Sequence, residues 1–151
     1  MIDRFEKFSL AISEIWRYWH KLATTVMKKH GLKGPLAVYF TTLYRYPNGL
    51  NAAELGVLCS RDKADVSRMI TLLEKQGLVQ KVDNVNNSYK IPIILTDKGI
   101  EIAEDINQKV MEAVEKGGKG LSEKERDIFY NSLDIISSNL QNLTEKGFKD
   151  R

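Results

Sequence analysis

Apolar residues recur every three or four positions along most of this chain, which is the spacing of one face of an α-helix. A long stripe opens the chain, and shorter stripes follow between turn-forming residues. The pattern predicts helices over residues 3–30, from 35 to about 46, 52–58, 62–76, 97–116 and about 123–145. The protein is therefore predicted to be mainly α-helical.

Residues that favour helix ends stand at both ends of these segments. Asn51, Asp62 and Ser122 precede predicted helices, where a short polar side chain can accept hydrogen bonds from free backbone amides. Ser122 is followed three residues later by Glu, which is the pattern of a capping box. Gly31 and Gly77 follow predicted helices, where glycine adopts a left-handed conformation without strain. The helix boundaries are thus predicted from local chemistry.

The pattern changes from helical to extended after Gly77. The polar, turn-prone stretch 83–88 separates an apolar segment at 78–82 from a β-rich segment at 89–95. Pro92 lies inside the second segment, and proline is tolerated in edge strands but not within a sheet. We therefore expect a two-stranded hairpin with an exposed edge.

The third and fourth helices, with the hairpin behind them, have the form of a winged helix-turn-helix. In the fourth helix Val66, Met69, Ile70 and Leu73 share one face and are predicted to pack inward. In the third helix Ala53, Leu55 and Leu58 are predicted to face the fourth. The outer face near the N-terminus of the fourth helix then carries Lys63, Asp65, Ser67 and Arg68. A helix of this kind reads the major groove in helix-turn-helix proteins.

We expect different roles for the polar residues of this region. Ser67 and Arg68 are candidates for contact with bases or phosphates, the alternative being solvated residues on the helix surface. Lys63 and Arg61 are candidate phosphate contacts. Asp65 is expected to act at the helix end rather than as a reader of cytosine.

Four blocks of sequence resemble the MarR family of bacterial transcription regulators. They are Leu50–Leu55, Asp62–Arg68, Leu73–Val79 and Leu95–Gly99, in the order and at the spacing of the family's winged-helix core. The helices before and after this core also resemble the family's dimerisation elements. The resemblance therefore covers almost the whole chain.

This resemblance implies a homodimer that binds a pseudo-palindromic DNA operator, usually as a repressor that a small ligand or oxidation releases. It also divides the chain. We expect a single domain over residues 1–151, with dimerisation helices at 1–32 and 100–146 around a DNA-binding lobe at 34–99. The alternative is a winged helix that contacts only proteins, because a fold does not determine its function.

The predicted wing departs from the family pattern. Members usually carry an arginine just before the returning strand, and here no arginine occurs between Arg68 and Arg126. Asn86 and Asn87 could donate hydrogen bonds in an A·T-rich minor groove. Lys90 could contact a phosphate, although it lacks the rigid fork of arginine. We therefore expect the wing to contribute weakly to sequence recognition.

Aromatic residues suggest two further roles for the first two helices. The first helix has an apolar stripe rich in large aromatics, which favours burial against a partner subunit. Members of the resembling family often bind planar or phenolic effectors beside the dimer helices. The resemblance therefore implies that this protein binds a small aromatic effector. The candidate contacts for it are Trp16, Trp19, His20, Tyr39, Tyr44 and Arg45. The alternative is that these aromatics are ordinary core and interface residues.

Composition limits the remaining possibilities. The net charge of +3 permits nucleic-acid binding without arguing for it. The single cysteine, Cys59, is expected to be a small buried hydrophobe, with a redox sensor as the less favoured alternative. His20 and His30 lack companions for a metal site. No motif indicates catalysis or a cofactor, and with neither a membrane span nor a secretory segment we expect a cytoplasmic protein.

Overall fold

The computed structural model describes residues 2–82 and 90–147. Helices and one small sheet follow the chain in this order: α1 (Ile2–Lys28), a 3₁₀ turn (Gly34–Leu36), α2 (Ala37–Arg45), α3 (Ala52–Cys59), α4 (Lys63–Lys75), β1 (Val79–Lys81), β2 (Ile93–Leu95), α5 (Asp97–Gly117) and α6 (Glu123–Lys146). This mainly α architecture, with a small hairpin behind a helix-turn-helix, is the predicted fold class.

The chain divides into two compact units, Met1–Val110 and Met111–Arg151, with the boundary inside α5. The first unit holds the helix-turn-helix and the hairpin. The second holds the end of α5 and the whole of α6. The assignment of residues 1–151 to a single domain with dimerisation helices stays a prediction.

The predicted helix ends follow from the local chemistry. Asn51 and Ser122 each accept the backbone N–H of a glutamate three residues later, and both capping boxes are complete. Gly31 and Gly77 have φ values of +66° and +69°. At Gly77 the next residue, Leu78, donates its N–H to Leu73 O at 2.9 Å and closes α4. The first helix ends at Lys28, two residues before its predicted end.

The hydrophobic core of the first unit lies among α2, α3, α4, the hairpin and the first half of α5. The end of α1 adds Met27, which is completely buried. The core residues on α4 are those that the sequence predicted, with Met69 only partly buried. The core comprises Met27, Leu32, Leu36, Tyr39, Phe40, Leu43, Leu50, Leu55, Cys59, Val66, Ile70, Leu73, Leu78, Val79, Ile93, Leu95, Ile102, Ala103 and Ile106.

The hairpin is shorter than predicted and is not left with a fully exposed edge. β1 pairs antiparallel with β2, with Val79 opposite Leu95. β2 begins at Ile93, and residues 90–92 of the predicted segment do not belong to it. The preceding Pro92 has no N–H to donate, although its carbonyl accepts from Val82 at 2.9 Å. On the other edge Ile93 exchanges two backbone hydrogen bonds with Leu50, at 2.9 and 3.1 Å.

Within the first unit most of α1 is exposed. Its large apolar side chains include Phe5, which is 71% exposed, and Trp16, which is 62% exposed. In the second unit α6 has no buried residue at all. Neither helix is apolar enough along its length to cross a membrane, and the same holds for every other helix in residues 2–82 and 90–147.

Candidate nucleic-acid interface

The close packing of α3 on the start of α4 sets the geometry of the helix-turn-helix. Leu55, Gly56 and Cys59 are the buried residues of α3. A Cβ atom at Gly56 would lie 3.1 Å from Arg61 O and 3.3 Å from Val66 Cγ2. The prediction that Ala53 and Leu58 also face α4 was wrong, since both are exposed. A residue without a side chain lets the two helices approach closely at this point.

The turn between the helices orients the start of α4. Ser60 has φ +52°, a left-handed conformation that is uncommon for residues other than glycine. Arg61 donates its backbone N–H to Gly56 O at 2.9 Å. Asp62 then caps α4 by accepting the N–H of Asp65 at 2.7 Å. The backbone from residue 60 to residue 65 is thus fixed by hydrogen bonds, and the side chains on it start from fixed positions.

The outer face of α4 presents donors and cations. Lys63, Ser67 and Arg68 are exposed, while Arg61 and Asp65 are partly buried beside them. The side chain of Arg68 is 66% exposed. The N-terminal end of a helix carries partial positive charge, which adds to that of the cations. This face therefore offers cations and hydrogen-bond donors, which are the kinds of group that contact phosphates and base edges in DNA-binding proteins.

Asp65 lies at the centre of the polar contacts on this face. Its Oδ2 atom accepts a hydrogen bond from the Tyr39 hydroxyl at 2.9 Å and lies 3.9 Å from Arg61 Nε. Its Oδ1 atom lies 3.6 Å from Arg68 Nη2. The carboxylate therefore joins a core tyrosine to two arginines of the candidate interface. Asp65 lies in the first turn of α4, and its expected role at the helix end stays a prediction.

Tyr39 was predicted as a ligand contact, but the structure places it in the core. Its side chain is 1% exposed, so its ring has no free face on which a planar ligand could stack. Burial, and next the hydrogen bond to Asp65, raise the pKa of Tyr39 well above its ordinary value. The hydroxyl therefore stays protonated and donates to the carboxylate. Sequence spacing gave no signal for this bond, which joins residues 26 positions apart.

The other predicted ligand contacts lie on two different helices. Trp16, Trp19 and His20 are exposed on α1, and the rings of Trp16 and His20 lie 6.1 Å apart. Tyr44 and Arg45 are exposed at the end of α2, where the Tyr44 hydroxyl lies 3.5 Å from Glu104 Oε1. No hydrogen bond or ring contact described for residues 2–82 and 90–147 joins the two groups.

The structure describes only one of the three predicted DNA-contacting residues of the wing. Asn86 and Asn87 lie outside the described residues. Lys90 is described and exposed. At the base of the hairpin Lys81 Nζ lies 3.6 Å from Glu74 Oε2, so this lysine is paired within the protein. The weak contribution expected of the wing stays a prediction.

Cys59 has the environment of a structural cysteine. It is 6% exposed, and its thiol lies 3.5 Å from Thr42 Oγ1 and 3.8 Å from Val38 O. Burial raises the pKa of the thiol above its ordinary value. Since the thiolate is the reactive form, this environment disfavours oxidation.

A second polar contact was also missed from the sequence. His30, just after α1, lies with its Nε2 atom 2.8 Å from Asp105 Oδ2 on α5. The two residues are 75 positions apart, so no local pattern could reveal the pair. It ties the end of α1 to α5. Within residues 2–82 and 90–147 no group of three or more His, Cys, Asp or Glu residues is placed to hold a metal ion.

Comparison with known proteins gives a relative in sequence and several in structure. No protein-family model matches the chain. The HTH-type transcriptional regulator BilQ of Clostridioides difficile (strain CD3) is 28% identical over 104 residues, which are 68% of this chain and 69% of BilQ. That identity is modest, and it accords with a helix-turn-helix protein.

Two crystal structures show the same fold. A MarR family transcriptional regulator from Listeria monocytogenes, complexed with a 26mer DNA, aligns with a TM-score of 0.81 and 24% identity, over 93% of this chain and 95% of that one. S. aureus MepR in its DNA-binding conformation aligns with a TM-score of 0.81 and 20% identity, over 88% of this chain and 98% of MepR. The resemblance to the MarR family is thereby confirmed at the level of the fold.

Proposed function

We propose that this protein, which has the fold of MarR family regulators, is a sequence-specific DNA-binding transcription regulator. The observation that carries the proposal is the outer face of α4, where Lys63, Ser67 and Arg68 are exposed at the N-terminal end of the helix. The Listeria structure that shares this fold is complexed with DNA. A helix-turn-helix places its second helix in the major groove, and in this protein that helix is α4, which carries the exposed cations.

Reversing the charge of Arg68 tests this function. Arg68→Glu removes a guanidinium fork and places a carboxylate against the phosphates, so we expect affinity for a selected duplex to fall about 100-fold. Fluorescence anisotropy at fixed salt measures the change. Lys119→Glu is the matched control, because Lys119 is an exposed residue of the turn before α6 and lies outside the candidate interface. Equal binding by wild type and Arg68→Glu would contradict DNA reading by this face of α4. If the wild-type protein selects no duplex at all, the alternative is favoured, a module that contacts only proteins.

We also propose that the protein acts as a homodimer through its terminal helices. α1 leaves Phe5, Trp16 and other large apolar side chains exposed, and α6 has no buried residue. Large apolar side chains exposed along a helix mark an interaction surface, and each of the two helices carries them. A twofold dimer would pair each such face with its copy and would present two α4 helices to two half-sites.

Sedimentation of an interface variant tests the dimer. Trp16→Lys replaces an apolar ring that is 62% exposed in the chain, so the fold of the unit should tolerate the change. If the residue is a dimer anchor, the dissociation constant of the dimer should rise at least about 30-fold. Val57→Lys is the control, because Val57 on α3 is 79% exposed and lies outside α1 and α6. A wild-type monomer at micromolar concentration would contradict the proposal.

The finer features of the function are also proposals. We propose that the protein represses a target gene by binding a pseudo-palindromic operator, and that a small aromatic effector releases it from the operator. We also propose that it acts in the cytoplasm, where bacterial DNA lies.

The effector can be tested with tryptophan fluorescence, because Trp16 and Trp19 are the two tryptophans of the chain. Quenching of their fluorescence by a phenolic probe such as 4-hydroxybenzoate would therefore report binding beside α1. Tyr44 and Arg45 remain candidate polar contacts, and the same titration on Arg45→Ala measures whether that side chain contributes.

A further inference from the structure

The carboxylate of Asp65 lies within ion-pair distance of both arginines of the candidate interface. Arg61 approaches it through Nε at 3.9 Å and Arg68 through Nη2 at 3.6 Å. Both distances are longer than hydrogen bonds, and Arg61 Nε is buried without a hydrogen-bond partner. The arginines are therefore attracted to Asp65 without being locked to it. The outer part of the Arg68 fork in particular remains accessible, since 66% of its side chain is exposed.

Tyr39 fixes the position of that carboxylate. The tyrosine lies in the core on α2, at 1% exposure, and its hydroxyl donates to Asp65 Oδ2 at 2.9 Å. A hydrogen bond to a charged acceptor is stronger than one between neutral groups. The backbone of Asp65 is held as well, through its N–H to Asp62 Oδ1 at 2.7 Å. The anion of this network thus belongs to the rigid part of the protein, and it attracts the two arginines toward a fixed point.

We propose that Asp65, anchored by Tyr39, is the positioning residue that sets how well α4 discriminates its operator from other DNA. The inference rests on the proposed function, because it concerns the same face of α4. Asp65 attracts Arg61 and Arg68 and so favours one arrangement of their side chains before DNA arrives. A duplex that matches this arrangement binds the forks as they stand. Other duplexes must draw the arginines away from their carboxylate.

The charge of Asp65 acts in the same direction. Residues 61–68 contain three cations and two carboxylates, and the carboxylate of Asp62 caps the helix. Non-specific binding depends almost entirely on attraction between cations and phosphates. A carboxylate beside two arginines weakens their attraction to phosphates in every DNA sequence. Because it also favours one arrangement of the two guanidinium groups, it preserves their contacts with the duplex that matches this arrangement. Asp65 therefore lowers the affinity for DNA of any sequence and increases the ratio of specific to non-specific affinity.

Two variants separate these effects. Asp65→Asn removes the charge but keeps an oxygen that can accept from Tyr39. Tyr39→Phe keeps the charge but removes the anchor. The probes are a duplex enriched by the wild-type protein from a random 26-bp library, and a scrambled duplex of equal length. Fluorescence anisotropy over a salt series gives both affinities and their salt dependence. Glu101→Gln, which removes an exposed carboxylate from α5, is the control.

We expect Asp65→Asn to bind the scrambled duplex about threefold more tightly, as loss of one nearby negative charge implies. Its salt dependence on that duplex should steepen by about 0.9 in log–log slope, since a freed arginine gains one phosphate. The ratio of specific to non-specific affinity should fall about tenfold, the equivalent of one poorly placed base contact. Tyr39→Phe should lower the ratio while its affinity for the scrambled duplex stays at the wild-type value.

The outcomes distinguish this inference from the function on which it rests. If Asp65→Asn weakens binding to both duplexes by the same factor, Asp65 is merely structural and the inference is wrong. An unchanged ratio in both variants would also overturn it. Failure of the wild-type protein to enrich any sequence would instead overturn the proposed function, and this inference with it.

Discussion

Gly99 lies where α5 meets the base of the hairpin, and its replacement by alanine provides a sharp test of the packing. A Cβ atom at this position would overlap the carbonyl oxygen of Leu78 and would lie 3.3 Å from Leu95 Cδ2. The Leu78 carbonyl cannot move freely, because it accepts the backbone N–H of Thr96 at 3.1 Å. The Thr96 side chain in turn donates to Gly77 O at 2.6 Å. An added methyl group must therefore displace backbone that is already hydrogen-bonded.

The size of the effect follows from three contributions. Overpacking of a rigid site costs about 1–3 kcal/mol, and a clash with backbone belongs at the upper end of that range. Weakening the hydrogen bond from Thr96 to Leu78 costs about 1 kcal/mol more. The better helix propensity of alanine returns about 1 kcal/mol. We therefore expect Gly99→Ala to lower the free energy of unfolding by about 3 kcal/mol.

Urea unfolding followed by circular dichroism at 222 nm measures this change. Protein concentration must be held constant, since dimerisation would couple stability to concentration. Gly117→Ala is a matched control in the same helix, because a Cβ there meets nothing within 4 Å. We expect the control to be neutral or slightly stabilising. If Gly99→Ala unfolds at the same urea concentration as wild type, the close approach of α5 to Leu78 is refuted.

Three further predictions concern individual polar contacts. Tyr39→Phe should destabilise the protein by about 1–2 kcal/mol in the same urea assay, because the carboxylate of Asp65 loses a hydrogen bond; an unchanged midpoint would contradict the bond. Hydrogen bonds from Ser122 lower the pKa of Glu125, so the stability that the ionised form adds is present above the unfolded pKa and is lost as pH falls through the folded pKa. Ser122→Ala keeps the backbone N–H and removes only the hydroxyl, so in ¹³C NMR titrations it should move the Glu125 pKa part of the way back toward its ordinary value; an unmoved titration would contradict the hydrogen bond from the hydroxyl. Cys59 should react slowly with iodoacetamide at neutral pH in the folded protein and quickly in urea, as intact mass spectrometry would show; equal rates would place the thiol at the surface.

The sequence predicted those parts of the fold that depend on neighbouring residues. The N-terminal caps of α3, α4 and α6 were predicted correctly because each cap acts over three residues. The C-terminal ends of these helices lie one residue from the predicted ends. The inward face of α4 was correct because it alternates clearly with charged positions. The buried face of α3 was only partly predicted, because a short helix with apolar residues all around it has no unambiguous stripe. The close approach at Gly56, which a single sequence does not reveal, selects that face.

Contacts between distant residues set the limit of prediction in the candidate site. The cations of α4 could be assigned to its outer face from their spacing. Their shared attachment to Asp65 could be foreseen in part, since residues three or four apart on a helix are neighbours. The anchor from Tyr39 could not, because it depends on how α2 packs against α4. The prediction that Tyr39 lines a ligand cleft was wrong for the same reason, because the packing of α2 against α4 buries this residue in the core.

The hydrogen bond from Tyr39 to Asp65 links the stability of the core to the proposed recognition of DNA. No arginine occurs between Arg68 and Arg126, so the part of the sequence that includes the wing offers no guanidinium fork. If α4 reads DNA, the forks of Arg61 and Arg68 carry a larger share of discrimination, and both depend on one carboxylate. That carboxylate depends on a hydroxyl in the hydrophobic core. A core substitution that shifts Tyr39 without unfolding the protein should therefore alter which sequences are preferred, although no mutated atom would touch DNA.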